Sequence, residues 1–168
     1  MKKSFIKKRF NKLLKQKEAD REISHEEVYT VGIIASGEIY KWLKIENEVE
    51  KILGLGNVRI YNYRPYSKMD VPSYKFFNEK DFNWKGEVKN KYFKSFIEEP
   101  HDLLIGYFNK NNLYLENAVL RSKAKFKVGF ANVNQALYDM EIVETPTKIE
   151  SFLSELKKYL IILNKLKN

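Results

Sequence analysis

Cysteine is absent from the 168 residues, which removes disulfides and thiolate metal ligands together and fits a reducing compartment. Histidine is nearly absent, with His25 and His101 only, so no zinc or non-haem iron site is expected. No apolar run approaches the roughly 18–20 residues of a membrane-spanning helix; the longest, Tyr159–Leu163, is five. The charged start has no continuous apolar core and no small-residue cleavage site, so the expectation is a cytoplasmic chain without a secretory leader. Glycine-rich phosphate loops are missing too: neither GxGxxG nor GxxxxGKS/T occurs, and no serine sits in a GxSxG elbow. No cofactor is expected on these grounds.

What is present suits one packed domain. Hydrophobic residues make up 43% and aromatics 14%, ample for a core in a chain too short for two ordinary domains. The net charge is +9, and its placement decides its meaning. Lys2, Lys3, Lys7, Lys8, Arg9, Lys12, Lys15 and Lys17 carry it, with no acid among residues 1–17; removing these eight leaves +1. Ile6, Phe10, Leu13 and Leu14 fall within about a third of a helix circumference. Residues 1–20 therefore read as a basic amphipathic helix ahead of a single α/β domain at 21–168. Two roles fit it. It docks its stripe and leaves a solvated basic back, or it binds RNA, DNA, anionic lipid or an acidic protein, with Lys7, Lys8, Arg9 and Lys12 as anion contacts. Base stacking is not expected, because no pair of aromatics shares a strand face.

Along the chain, Glu26–Ala35 reads as a first strand ending in a doubly covered apolar run. Ser36 follows as an N-cap of a helix reaching Leu53, with Ile39, Trp42, Leu43, Val49 and Leu53 on one side and Gly54 as a left-handed cap. Asn57–Tyr63 is a second strand with Val58 and Ile60 on one face and Arg59 and Tyr61 on the other. Tyr63–Lys89, with Pro65 and Pro72, is the least regular part; Tyr74–Phe77 suits an edge strand, and Phe82 and Trp84 read as packed anchors turned by Gly86. Lys91–Glu98 is a short helix stopped at Pro100. Asp102–Phe108 is a buried strand, and Asn109–Asn112 opens a helix over Leu113–Ser122. Lys123, Lys125 and Lys127 alternate with Ala124, Phe126 and Val128, a half-buried strand with a solvated lysine face or a protected sheet edge. Leu137–Val143 is a last strand. Thr147 and Glu150 suggest a capping box before a helix with Ile149, Phe152, Leu153, Leu156, Leu160, Leu163 and Leu166 on one face. The fold class is α/β: a three-layer Rossmann-like or flavodoxin-like domain with a mostly parallel sheet of about five or six strands.

In such a sheet, ligands collect beyond the carboxyl ends of the strands. Candidate ligand-binding residues there are Ser36, Gly37, Arg64, Asn109 and Asn132, with Ser36–Gly37 a phosphate contact or an ordinary helix cap. Arg121, Lys123 and Lys125 are a second anion candidate. His101 abuts Asp102 at the amino end of its strand, away from that crevice. Glu26–Glu27 and Glu98–Glu99 lie at element boundaries and read as solvated, so no general acid and base pair stands out and no catalytic residue is assigned. The function class expected is a non-enzymatic binding or adaptor domain engaging an anionic partner through its basic helix. The alternative is a small enzyme, or a nucleotide or sugar-phosphate binder, using the strand-end crevice.

Four segments, DLLIGYF, SKAKFKVGF, FNWKG and ELKKYLIILNKLK, together resemble an uncharacterised protein family of Bacteroidetes. The resemblance covers most of residues 1–166, with Ser122–Phe130 and Phe82–Gly86 its most specific parts. It implies a small bacterial cytoplasmic protein and brings no activity. The centre alone, DLLI, a helix and a basic run into KVGF, is similar to the N-terminal half of heptosyltransferase-like glycosyltransferases. In those enzymes a second domain supplies most of the nucleotide-sugar site.

Overall fold

The oily segment at the centre of the chain is a strand covered on both faces. In a computed structural model, which describes residues 1–70 and 73–167, the strand Leu103–Tyr107 has Leu103, Leu104, Ile105 and Tyr107 wholly buried. Pro72 lies outside the described residues. In chain order the elements are α1 (Lys2–Ala19), β1 (Thr30–Ser36), α2 (Gly37–Tyr40), α3 (Ile45–Leu53), β2 (Asn57–Tyr63), β3 (Phe76–Phe77), α4 (Lys91–Glu98), β4 (Leu103–Tyr107), α5 (Leu113–Arg121), β5 (Lys127–Phe130), β6 (Met140–Ile142) and α6 (Ile149–Ile162). The six strands form one sheet in the order β3-β2-β1-β4-β5-β6, and every pairing is parallel. That order is the Rossmann one, not the flavodoxin order.

Each face of the sheet has its own core. Val31, Ile33, Ile60, Leu103, Ile105, Val128 and Phe130 meet α3 through Ile45, Val49 and Leu53, and α6 through Phe152, Leu153, Leu156 and Leu160. On the other face Ile34, Tyr61, Leu104 and Phe108 meet α4, α5 and also α1, whose Ile6 and Phe10 are buried among Phe82, Phe93 and Leu115. Burying such a side chain is worth about 1.5–3 kcal/mol, so α1 is held by the same force as the other helices.

Several boundaries differ from the sequence expectation, each for a physical reason. β1 starts at Thr30 because the preceding backbone bonds elsewhere: Val28 N–H donates to Lys165 O at 2.7 Å and Tyr29 N–H to the Asp102 carboxylate at 2.9 Å. The helix expected from Ser36 to Leu53 is broken into α2 and α3. At about 100° per residue, Ile39 and Ile45 would sit roughly 120° apart on one helix, yet both must reach the core. The break leaves Trp42 56% exposed instead of packed. Thr147 caps nothing: α6 begins after Lys148 with no side-chain cap, and the Thr147 hydroxyl lies 3.2 Å from that of Thr145. α6 ends at Ile162, where Asn164 adopts φ 58° and Lys165 N–H returns to Leu160 O at 2.8 Å, so Leu163 is half-exposed. The last strand shrinks to Met140–Ile142. β5 lies between β4 and β6, not at an edge, and only Lys127 of the three alternating lysines belongs to it. Gly54 does adopt the left-handed cap, φ 70°, and α4 keeps its expected limits.

Gly106 and Gly129 are register partners on β4 and β5. The ring of Tyr138 lies across them. A Cβ on Gly129 would stand 2.1 Å from Tyr138 Cζ, and one on Gly106 would stand 2.3 Å from its hydroxyl. Two facing glycines therefore cut a slot in the sheet surface that one aromatic ring fills.

Candidate functional site

Aromatic side chains pack together beside the carboxyl end of β2. Ser36 sits beside Tyr63 in the register, and its side chain makes no cap hydrogen bond. A Cβ on Gly37 would meet Tyr63 O at 2.6 Å, so the glycine lets the chain pass over the end of β2. α2 is only four residues long, so few of its peptides are aligned behind Ser36–Gly37. Tyr63 stacks on Tyr114, ring centroids 5.9 Å apart, and Phe82 packs against Tyr114 and Phe77. The Tyr63 hydroxyl donates to Glu79 Oε2 at 3.1 Å, and the same carboxylate accepts Tyr66 N–H. Desolvation, and then Glu79, push the Tyr63 phenol well above its ordinary range. The irregular stretch thus folds back beside the end of β2.

The remaining crevice candidates do not converge. Arg64 is bound to Asp70 at 2.9 Å and lies 4.4 Å over Phe76. It lines a cleft of about 120 Å³ outside the edge of the sheet. Asn109 and Asn132 do meet, since Asn132 Nδ2–H donates to Asn109 O at 2.9 Å. That bond ties two loops together. Three strand spacings, roughly 14 Å, separate the end of β2 from that of β5. His101 is buried at the amino end of β4, with Nε2 3.1 Å from Glu99 Oε2. The contact is too far off line to be a hydrogen bond, and burial lowers the pKa of the imidazole. Among the described residues no three metal-ligating side chains come together, and no helix is long and apolar enough to cross a membrane.

Charge is concentrated on α1. With Ile6 and Phe10 buried, Lys3, Lys7, Lys8, Arg9, Lys12 and Lys15 are exposed, and Lys8, Lys12 and Lys15 share one stripe by their i, i+4, i+7 spacing. None of the six is in an ion pair among the described residues. Beside them stands an aromatic pair that sequence reading did not assemble. Phe5 and Trp84, 51% and 54% exposed, have ring centroids 5.4 Å apart. Trp84 is therefore not the buried anchor expected of it, whereas Phe82 is fully buried. The loop is held by Gly86, at φ 78°, whose carbonyl accepts from Asn117 at 2.8 Å. Arg121, one of the anion candidates, is spent on the same loop, donating to Lys85 O at 2.8 Å and to Asn117 at 3.0 Å.

A groove of about 500 Å³ opens at the opposite, amino end of the sheet, between the C-terminal part of α1 and the segment Ser122–Lys127. Lys123 and Lys125 line it, but Lys125 is already paired with Glu26 and, at 3.3 Å, with Asp102. Lys127 is not on a solvated face. Its ammonium donates to Val119 O and Leu120 O at 2.7 and 3.2 Å, capping the end of α5. Burial, then neighbouring Lys17 and, more weakly, Arg21, pull Lys127 down to about 7 against the attraction of Asp139. The unfolded chain keeps this proton up to the ordinary lysine range, so between pH 7 and that range the unfolded state binds more protons and stability rises with pH. From pH 7 to 9 the rise should be about 2 kcal/mol. Urea titrations at the two pH values should show it in the wild type and lose it in Lys127→Met.

Six parallel strands in this order with helices on both faces define a Rossmann-like α/β domain. Residues 2–163 match the family of unknown function DUF6913, and the chain belongs to that family. No curated protein and no solved structure matches it.

Proposed function

We propose that the protein is a non-enzymatic binding or adaptor domain that engages single-stranded nucleic acid through the outer face of α1. The supporting observation is the six exposed cations of a docked helix, unpaired among the described residues, standing beside the half-exposed Phe5–Trp84 pair. Phosphates have lysines to meet, and a base has a ring to stack upon. An anionic membrane is less well served. An interfacial helix needs its apolar face for lipid, and here Ile6 and Phe10 spend that face on the core.

Binding to a single-stranded oligonucleotide should weaken with salt along a log–log line whose slope counts phosphate contacts, roughly 0.7 per contact. The variant Lys8→Gln/Lys12→Gln/Lys15→Gln should reduce that slope by about 2. Trp84→Ala should instead weaken binding by about 1–3 kcal/mol at unchanged slope. Equal retention of wild type and triple variant on RNA and DNA would remove the reading. Retention on phosphatidylserine vesicles alone would transfer it to a lipid surface.

A further inference from the structure

The groove at the amino end of the sheet presents an electrostatic problem that α1's outer face does not. Lys17 is half-buried there. Burial first, then the neighbouring cations Arg121 and Lys123, hold its ammonium below the ordinary lysine range, and no carboxylate counters them. Lys17 also acts on Lys127 across the groove. Asp20, Glu22 and Asp139 also line the groove, against Lys17, Arg21, Lys123, Lys125 and Lys127. Asp139 accepts the Lys127 N–H at 2.8 Å and faces Arg21 at 3.4 Å; Asp20 and Glu22 are exposed. Cations drawn out of water toward one another cost free energy unless a counter-charge joins them.

We propose that this groove binds a small phosphorylated anion without an aromatic base, with Lys17 and Lys123 as its charge contacts. The size suits a small metabolite. Leu13, Leu120 and Leu137 supply an apolar floor, and no aromatic side chain lines the groove, so a sugar phosphate or short polyphosphate fits and a nucleobase has nothing to stack on. The site lies on the Lys17 side of α1, apart from the Lys8–Lys12–Lys15 stripe, and stands whether or not that stripe binds nucleic acid.

The test is thermal shift and calorimetry on the full chain with pyrophosphate and glucose 6-phosphate as probes. One of them at millimolar concentration should raise the melting point, and Lys17→Met and Lys123→Gln should each weaken its binding at least tenfold. Lys8→Gln/Lys12→Gln/Lys15→Gln should bind the probe as the wild type does. A bound anion should favour the charged form of Lys17 and so oppose the lowering of its pKa, read as a dependence of the binding heat on buffer ionisation enthalpy. Without any ligand, Lys17→Met should melt no lower than the wild type, since it removes a repulsion and keeps the alkyl stem. The proposal is overturned if neither probe shifts the wild type, if Lys17→Met binds equally well, or if the stripe variant loses the probe. A lower melting point for ligand-free Lys17→Met would also overturn it.

Discussion

Gly129→Ala should lower stability by about 3 kcal/mol, a large effect for one added methyl group. The new Cβ would fall 2.1 Å from Tyr138 Cζ and within 2.5 Å of both Cε atoms, so the ring cannot stay. It has nowhere near to go. The ring is buried on the α1, α4 and α5 side, and backbone anchors hold its segment, with Arg21 donating to the carbonyls of Ala136 and Tyr138. Expelling a buried aromatic forfeits most of what removing it would, about 3–5 kcal/mol. Chemical denaturation of the single variants and of Gly129→Ala/Tyr138→Ala settles the point. If the clash is the cause, the double variant is much less destabilised than the sum of the two. Strict additivity would mean that Gly129 is needed for some other reason.

Phe10→Ala should cost about 3–5 kcal/mol, as much as a truncation in any other helix of the domain. Phe10 is 5% exposed and Ile6 wholly buried in the core that α4 and α5 share. The basic helix is therefore not a removable arm. Deleting residues 1–17 should unfold or partly melt the protein, and it is a poor test of anion binding for that reason. Surface changes such as Lys12→Gln should leave the unfolding free energy within about 0.5 kcal/mol of the wild type. A wild-type melting curve for the deletion, by circular dichroism, would show that α1 contributes nothing to the core.

The legible part of the fold was its periodicity. The buried strand at Leu103, the alternation Val58/Ile60 against Arg59/Tyr61 and the α4 stripe of Phe93, Phe96 and Ile97 all follow from spacing. Each burial there is a local property of one element. What spacing could not show is what distant segments do when they meet. Phe5 and Trp84 look unrelated in sequence, as do Lys17 and Lys123, and each pair exists only because α1 lies against α5 and the loop before α4. The glycines of IGY and VGF did carry a signal. A glycine inside a strand points to a close approach, and two of them on adjacent strands mark a slot. The crevice candidates lie apart from one another, Asn109 and Asn132 excepted, for a matching reason. Ser36, Arg64, Asn109 and Asn132 were chosen by topology, and nothing in topology says that Tyr63 and Phe82 pack beside the end of β2.

The bonds from Arg21 to Ala136 and Tyr138 join parts of the chain more than a hundred positions apart. Closing so wide a circuit carries an entropic toll that near neighbours escape. The contacts that fasten the end of α1 to the β5–β6 connection are therefore expected to form late in folding. Until α1 is seated, Ile6 and Phe10 stay uncovered beside a band of lysines, which makes that interval the time when this protein is most open to a chaperone or to clumping with its own kind.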